Sequence, residues 1–68
     1  MHNEMNDIVR QQVVDEIAIL VGKSNFYTYK DFMSYLKSEN KNFLRGHMML
    51  NKYLYGSLVK EAKQKISK

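Results

Sequence analysis

Apolar residues recur along this chain at the three- and four-residue spacing of amphipathic helices, in three segments separated by short polar stretches. The first segment places its large aliphatic residues on one helical face: Val9, Val13, Val14, Ile17, Leu20 and Val21. An asparagine, Asn3 or Asn6, supplies the N-cap, and Gly22 follows at the position after the C-cap, where glycine tolerates the left-handed conformation. We therefore predict a core helix over residues 4–21.

The second segment is shorter, about two and a half helical turns. Its core positions have i, i+3, i+4, i+7 spacing: Tyr29, Phe32, Met33 and Leu36. Thr28 is a good N-cap, and Asp31 three positions later completes a shortened capping box. These features predict a helix over residues 29–38, with Phe26 and Tyr27 filling the core from the preceding loop.

The third segment is the longest, and we predict one helix over residues 43–65. Its core side collects Leu44, Met48, Leu54, Tyr55, Leu58, Val59, Ala62 and Ile66. Gly46 and Gly56 lie inside it, and each lowers helix stability by about 1 kcal/mol relative to alanine. Gly56 is the expected place for a bend. His47 lies at the margin of the apolar side and is expected to be a hydrogen-bonded residue at the edge of the core.

Together the segments predict an all-α, small three-helix domain. In its general plan, with a capped second helix and a longer third helix, residues 28–63 resemble helix-turn-helix proteins, and the resemblance implies DNA binding through the third helix. The polar loop from Ser38 to Asn42 has five residues, whereas the usual turn has three to four. No β-hairpin signal follows the third helix, so no wing is expected.

Length and composition restrict the class of protein. The chain has 68 residues, enough for one domain, and contains no cysteine or proline, which excludes disulfides and thiolate zinc sites. The N-terminus lacks a secretory signal, and the longest apolar run, residues 17–21, is far shorter than the roughly 20 residues that span a bilayer. We expect a cytoplasmic protein without membrane contact.

Catalytic chemistry has little support. The only histidines are His2 and His47, and the adjacent carboxylates Asp15 and Glu16 point to different sides of their helix. Metal-binding, phosphate-loop and nucleophile motifs are absent from the sequence. We therefore expect no enzyme, no metal and no cofactor.

Charge is divided unevenly along the chain. Residues 1–22 carry one basic and four acidic side chains, a net charge of −3, whereas residues 23–68 carry ten basic and three acidic side chains, a net charge of +7. The side of the third helix opposite its core carries Arg45, Met49, Lys52, Tyr53, Lys60 and Lys63. This division indicates an acidic helix packed behind a basic surface.

The basic side predicts binding to nucleic acid, most simply double-stranded DNA, in a regulatory or DNA-packaging protein. Arg45 can donate two hydrogen bonds to guanine, and Met49 or Tyr53 can pack against thymine methyl groups or sugar. Five lysines are the expected phosphate contacts: Lys52, Lys60, Lys30, Lys37 and Lys41. The lysines from residue 60 onward also stabilise the negative end of the helix dipole, so the hypothesis depends mainly on Arg45 and Lys52.

Two other interpretations stay open. Ile8, Gln12 and Ile19 lie off the main apolar face of the first helix, either as ordinary scattered surface residues or as a homodimer contact. Alternatively, the chain is a protein–protein interaction module, an adaptor or inhibitor that docks on an acidic partner. Met49 and Tyr53, residue types favoured at interfaces, support that alternative.

Overall fold

The computed structural model describes residues 5–23 and 28–67, and these residues form four α-helices and one turn of 3-10 helix. The helices are α1 (Asp7–Lys23), α2 (Tyr29–Ser38), α3 (Asn42–Leu50) and α4 (Tyr55–Ile66), and the 3-10 turn spans Lys52–Leu54. No β-strand occurs within the described ranges. The all-α prediction is confirmed, and the third predicted helix is replaced by two.

Helix α1 begins at Asp7, three residues after the predicted start at residue 4, and Asn6 is the one of the two predicted caps that precedes it. The side-chain oxygen of Asn6 accepts a hydrogen bond of 2.9 Å from the backbone N–H of Val9, which caps the first turn. The predicted core residues from Val9 to Leu20 are buried. The predicted end is wrong, because Gly22 does not have a positive φ and the helix continues through it to Lys23. Glycine tolerates a left-handed C-cap but does not require one.

The capping box of α2 is confirmed. The backbone N–H of Asp31 donates to Thr28 Oγ1 at 3.1 Å, and the Thr28 N–H donates to Asp31 Oδ2 at 3.3 Å. Phe32 and Leu36 are buried, while Tyr29 and Met33 pack half-buried against the core, as the spacing predicts. The prediction that Phe26 and Tyr27 fill the core falls outside the described residues.

The continuous third helix predicted over residues 43–65 is wrong, and so is the predicted bend at Gly56. The helical path ends at Asn51, whose φ of −125° and ψ of 37° leave the helical region. Its side-chain Nδ2 donates to the His47 carbonyl at 2.9 Å, and its backbone N–H bonds to the same carbonyl at 3.1 Å. Asparagine competes for backbone hydrogen bonds in this way, which favours helix ends over helix interiors. Gly46 and Gly56 lie inside α3 and α4.

The break at Asn51 allows α4 to pack along α1, while α2 packs mainly against α3. Within residues 5–23 and 28–67, twelve buried apolar residues form the core: Met5, Val9, Val13, Val14, Ile17, Leu20, Phe32, Leu36, Leu44, Met48, Leu58 and Ala62. The Tyr55 ring lies 5.8 Å from the Phe32 ring and 5.6 Å from the Tyr29 ring, which joins α4 to α2. Ile66, predicted as core, is 46% exposed because it lies in the last turn of α4.

In the described part of the chain, no helix combines the length and apolar character needed to cross a bilayer.

Candidate nucleic-acid interface

The connection between α2 and α3 is a three-residue turn of Glu39, Asn40 and Lys41. It is shorter than the five-residue loop predicted from sequence, because the flanking residues Ser38 and Asn42 are helical. Asn40 has a φ of 59°, the left-handed conformation that asparagine tolerates better than most residues. Three residues match the usual length of the turn in helix-turn-helix motifs.

Backbone hydrogen bonds close this turn as a Schellman motif. The N–H of Lys41 donates to the Leu36 carbonyl at 2.8 Å, and the N–H of Asn40 donates to the Lys37 carbonyl at 3.1 Å. These bonds satisfy carbonyl groups that the end of α2 would otherwise leave without partners. The turn therefore sets the direction of α3 relative to α2 without help from distant residues.

Glu16 of α1 then attaches the turn to the rest of the protein. Its carboxylate accepts a hydrogen bond of 2.7 Å from the Tyr35 hydroxyl and another of 3.0 Å from the Lys41 ammonium. The hydrogen bond to Glu16 raises the pKa of Tyr35 to about 12, assisted by burial and by the negative charges of Glu16 and Glu39. Lys41, a predicted phosphate contact, is thus already bound to a carboxylate.

Two further ion pairs connect α1 to α4. The Arg10 guanidinium pairs with the Glu61 carboxylate at 2.7 Å, and the Lys65 ammonium pairs with the Asp15 carboxylate. Together with the Lys41–Glu16 pair, these contacts pair two of the three acidic side chains of α1, Asp15 and Glu16. Within the described residues, seven basic side chains take part in no ion pair: Lys23, Lys30, Lys37, Arg45, Lys52, Lys60 and Lys63. Three acidic side chains of the described ranges also take part in no ion pair: Asp7, Asp31 and Glu39.

Three of the lysines that take part in none of these ion pairs lie on α2 or beside it. Lys30 and Lys37 are exposed and lie two turns apart on the same side of the helix. The Lys52 ammonium lies 5.0 Å from the centre of the Tyr29 ring, a cation–π contact that holds it beside the first turn of α2. Together with Arg45 of α3, these three lysines are referred to below as the basic surface.

Arg45 is half-buried on α3, the helix that packs against α2. Its Nε atom is buried and makes no hydrogen bond within the described part of the chain. A buried donor without a partner is unfavourable by about 1–3 kcal/mol, so an acceptor that reaches this group would relieve that energy. The sequence predicts Arg45 on the exposed side of the third helix, but the side chain is half-buried, so less of it is available to a ligand than of a fully solvated side chain.

The other residues predicted to contact bases do not share one helical stripe. Met49 is 57% exposed on α3, whereas Tyr53 lies in the 3-10 turn beyond the break and is 68% exposed. Tyr53 lines a shallow groove with Met5, Asp7 and Arg10, at the start of α1. Lys60 is exposed on α4, outside the α2–turn–α3 unit of residues 29–50.

Sequence reasoning did not identify Phe43 and Leu50 as surface residues. They are 65% and 78% exposed on α3, and the available signal was their position on the helical wheel away from Leu44 and Met48. The half-buried His47 ring contacts the edge of the Phe43 ring, with the ring centres 4.7 Å apart. On α1, Ile8, Gln12 and Ile19 are exposed, as both the scattered-surface and the homodimer interpretations require.

The described residues contain no cluster of three or more histidine, cysteine, aspartate or glutamate side chains able to hold a metal ion. Comparison with protein-family models, with curated proteins and with solved structures gives no match, so the geometry and chemistry of these residues carry the functional argument alone.

Proposed function

We propose that this protein binds double-stranded DNA through the α2–turn–α3 unit, as helix-turn-helix domains do. The observation that carries the proposal is the three-residue Schellman turn with Asn40 in the left-handed conformation. A short, closed turn presents the second helix of the pair in a fixed direction, which insertion into a major groove requires.

The distribution of charge supports the same proposal. The acids Asp15 and Glu16 of α1 are paired with lysines inside the molecule, so their repulsion of phosphate is reduced. Lys30, Lys37 and Lys52 belong to no ion pair and are the proposed phosphate contacts. Arg45 and Met49 are the proposed base contacts, the first to guanine and the second to thymine methyl groups.

A titration followed by nuclear magnetic resonance tests the proposal. Short duplex DNA is added to the labelled protein at two salt concentrations, and amide shifts are mapped along the chain. We expect the largest shifts between residues 29 and 52, with affinity falling steeply as salt increases. Three phosphate contacts, from Lys30, Lys37 and Lys52, correspond to a slope of log K against log salt of about −3. Undetectable binding at low salt would reject DNA as the ligand.

A second candidate is a protein–protein interaction module that docks on an acidic partner. The exposed Met49 beside the basic surface favours it, because methionine adapts to varied partners and an acidic protein would complement the lysines. The same titration separates the candidates when an acidic peptide of glutamate and leucine replaces the duplex. Binding of the peptide without binding of the duplex would support this second function.

A further inference from the structure

Lys52 lies against the first turn of α2, although it follows α3 in the chain. Its ammonium is 5.0 Å from the centre of the Tyr29 ring. The backbone around it is held by the 3-10 turn, in which the N–H of Leu54 donates to the Asn51 carbonyl at 2.9 Å. The break at Asn51 and the ring contact therefore make Lys52 part of the surface of α2.

The Tyr29 ring is itself held in place from α4. Its centre lies 5.6 Å from the centre of the Tyr55 ring, and the two ring planes meet at 79°, an edge-to-face contact. The Tyr55 hydroxyl donates a hydrogen bond of 3.2 Å to the carbonyl of Thr28, the N-cap of α2. The Tyr55 ring also packs on the buried Phe32 ring, with the centres 5.8 Å apart. These contacts hold the half-buried Tyr29 ring, so the Lys52 ammonium has a fixed surface to rest on.

The ring restrains Lys52 without neutralising it. Lys41 and Lys65 are held by carboxylates, which reduce the effect of their charge on an outside anion. Lys52 is exposed and takes part in no ion pair within the described residues, and an aromatic ring carries no net charge. Asp31, the acid in the first turn of α2, is used in the capping box. The Lys52 ammonium therefore keeps its charge and its N–H donors for a ligand.

We propose that Tyr29 is a positioning residue that holds Lys52 ready to contact a DNA phosphate. The inference rests on the proposed function and deepens it, because it names a residue that acts on DNA through another residue. A lysine side chain loses rotational freedom when it binds a phosphate. Lys52 has lost part of that freedom before DNA arrives, since the ring already holds its ammonium. Tyr29 should therefore raise the affinity for duplex DNA about three- to tenfold.

A measurement without DNA tests the ring contact. In the nuclear magnetic resonance spectrum of the free protein, the ring current of Tyr29 should shift the Lys52 CH₂ protons next to the ammonium upfield. Tyr29→Phe keeps the ring and should keep the shift, whereas Tyr29→Leu should lose it. Tyr53→Leu is the matched control, because this neighbouring ring is 68% exposed and should not cause the shift. A shift that persists in Tyr29→Leu, or that is lost in Tyr53→Leu, would overturn the positioning role.

Fluorescence anisotropy with a labelled duplex at low salt tests the effect on binding. We expect Tyr29→Phe to bind within about twofold of the parent, and Tyr29→Leu to bind about three- to tenfold more weakly. When Lys52→Gln is already present, Tyr29→Leu should bring no further loss. The same loss with and without Lys52 would show that Tyr29 acts through the packing of α2, which would overturn the proposal. Circular dichroism checks that each variant keeps its helices.

Failure of the proposed function gives a different result from failure of this inference. If the parent does not bind the duplex at low salt, DNA is rejected as the ligand, and the phosphate contact at Lys52 is rejected with it. If the parent binds the duplex and Tyr29→Leu binds equally well, DNA binding stands and the positioning role of Tyr29 is wrong.

Discussion

The hydroxyl of Tyr35 donates a hydrogen bond of 2.7 Å to the carboxylate of Glu16, nineteen residues earlier in the chain. This bond joins α2 to α1 directly before the turn that leads into α3. Because Lys41 binds the other oxygen of the same carboxylate, one acidic residue fixes both the end of α2 and the start of α3. The α2–turn–α3 unit is therefore rigid with respect to α1, which a recognition helix needs if it is to enter a groove in one orientation.

Glu16→Gln should lower the free energy of unfolding by about 1–2 kcal/mol, because a charge-assisted hydrogen bond and an ion pair are both weakened at a half-buried site. Urea denaturation followed by circular dichroism measures the change. Glu39→Gln is the control, since this exposed acid in the same turn takes part in no ion pair within the described residues. That variant should remain within about 0.5 kcal/mol of the parent. Equal losses of unfolding free energy in the two variants would show that the contacts of Glu16 add no more stability than an exposed acid does.

Alkaline unfolding should follow the ionisation of two tyrosines. Hydrogen bonding to Glu16 raises the pKa of Tyr35 to about 12, and burial, assisted by the charge of Asp31, raises the pKa of Tyr55 to about 12. Both values lie above the unfolded value of 10.0, so this stability is fully present below about pH 10 and is lost as the pH rises toward 12.

Ultraviolet titration of tyrosinate measures this effect. We expect two of the five tyrosines to ionise later than the others, together with a fall in urea stability over the same range. Tyr35→Phe should remove one late step and make the fall less steep. A single transition near pH 10 for all tyrosines would contradict the assigned hydrogen bond.

Gly56→Ala should raise the free energy of unfolding by about 0.5–1 kcal/mol. Gly56 lies in the first turn of α4 without a positive φ, and a Cβ there meets no atom within 4 Å, so alanine adds helix propensity without a clash. Thermal and urea unfolding measure the gain. Gly22→Ala serves for comparison and should give a gain of similar size, because each glycine lies one residue from the end of its helix and a Cβ has open space at both. A loss at Gly56 would indicate that the chain bends there after all.

The salt dependence of DNA binding should identify which lysines contact phosphates. Lys30→Gln, Lys37→Gln and Lys52→Gln should each reduce the slope of log K against log salt by about one unit. Lys65→Gln is the matched control, because its ammonium is paired with Asp15 of α1. Fluorescence anisotropy with a labelled duplex at several salt concentrations gives the slopes. The same slope for all four variants would mean that α2 does not face the DNA.

Local signals account for the features that sequence analysis predicted correctly. The capping box of Thr28 and Asp31, the cap at Asn6 and the apolar face of α1 depend on residues within four positions of one another or on helical periodicity. The turn length was missed by two residues because Ser38 and Asn42 are polar and cap-forming, and so resemble loop residues although both are helical.

The surface predicted to bind DNA was only partly visible in the sequence. Its basic residues follow from composition, but a helical wheel drawn across residues 43–65 placed Tyr53 and Lys60 on the same side as Arg45. The break at Asn51 separates them. The non-helical backbone of that residue changes the direction of the chain, so one helical wheel no longer describes the residues that follow it.

The sequence by itself determined that the chain is helical, where α2 begins, and which side chains of α1 and α2 form the core, since helix formation and capping depend on neighbours in the chain. Tertiary structure decided the ion pairs from Glu16, Asp15 and Arg10 and the hydrogen bond from Tyr35 to Glu16. Those contacts join residues 19 to 51 positions apart, and helical periodicity contains no information about which distant faces meet.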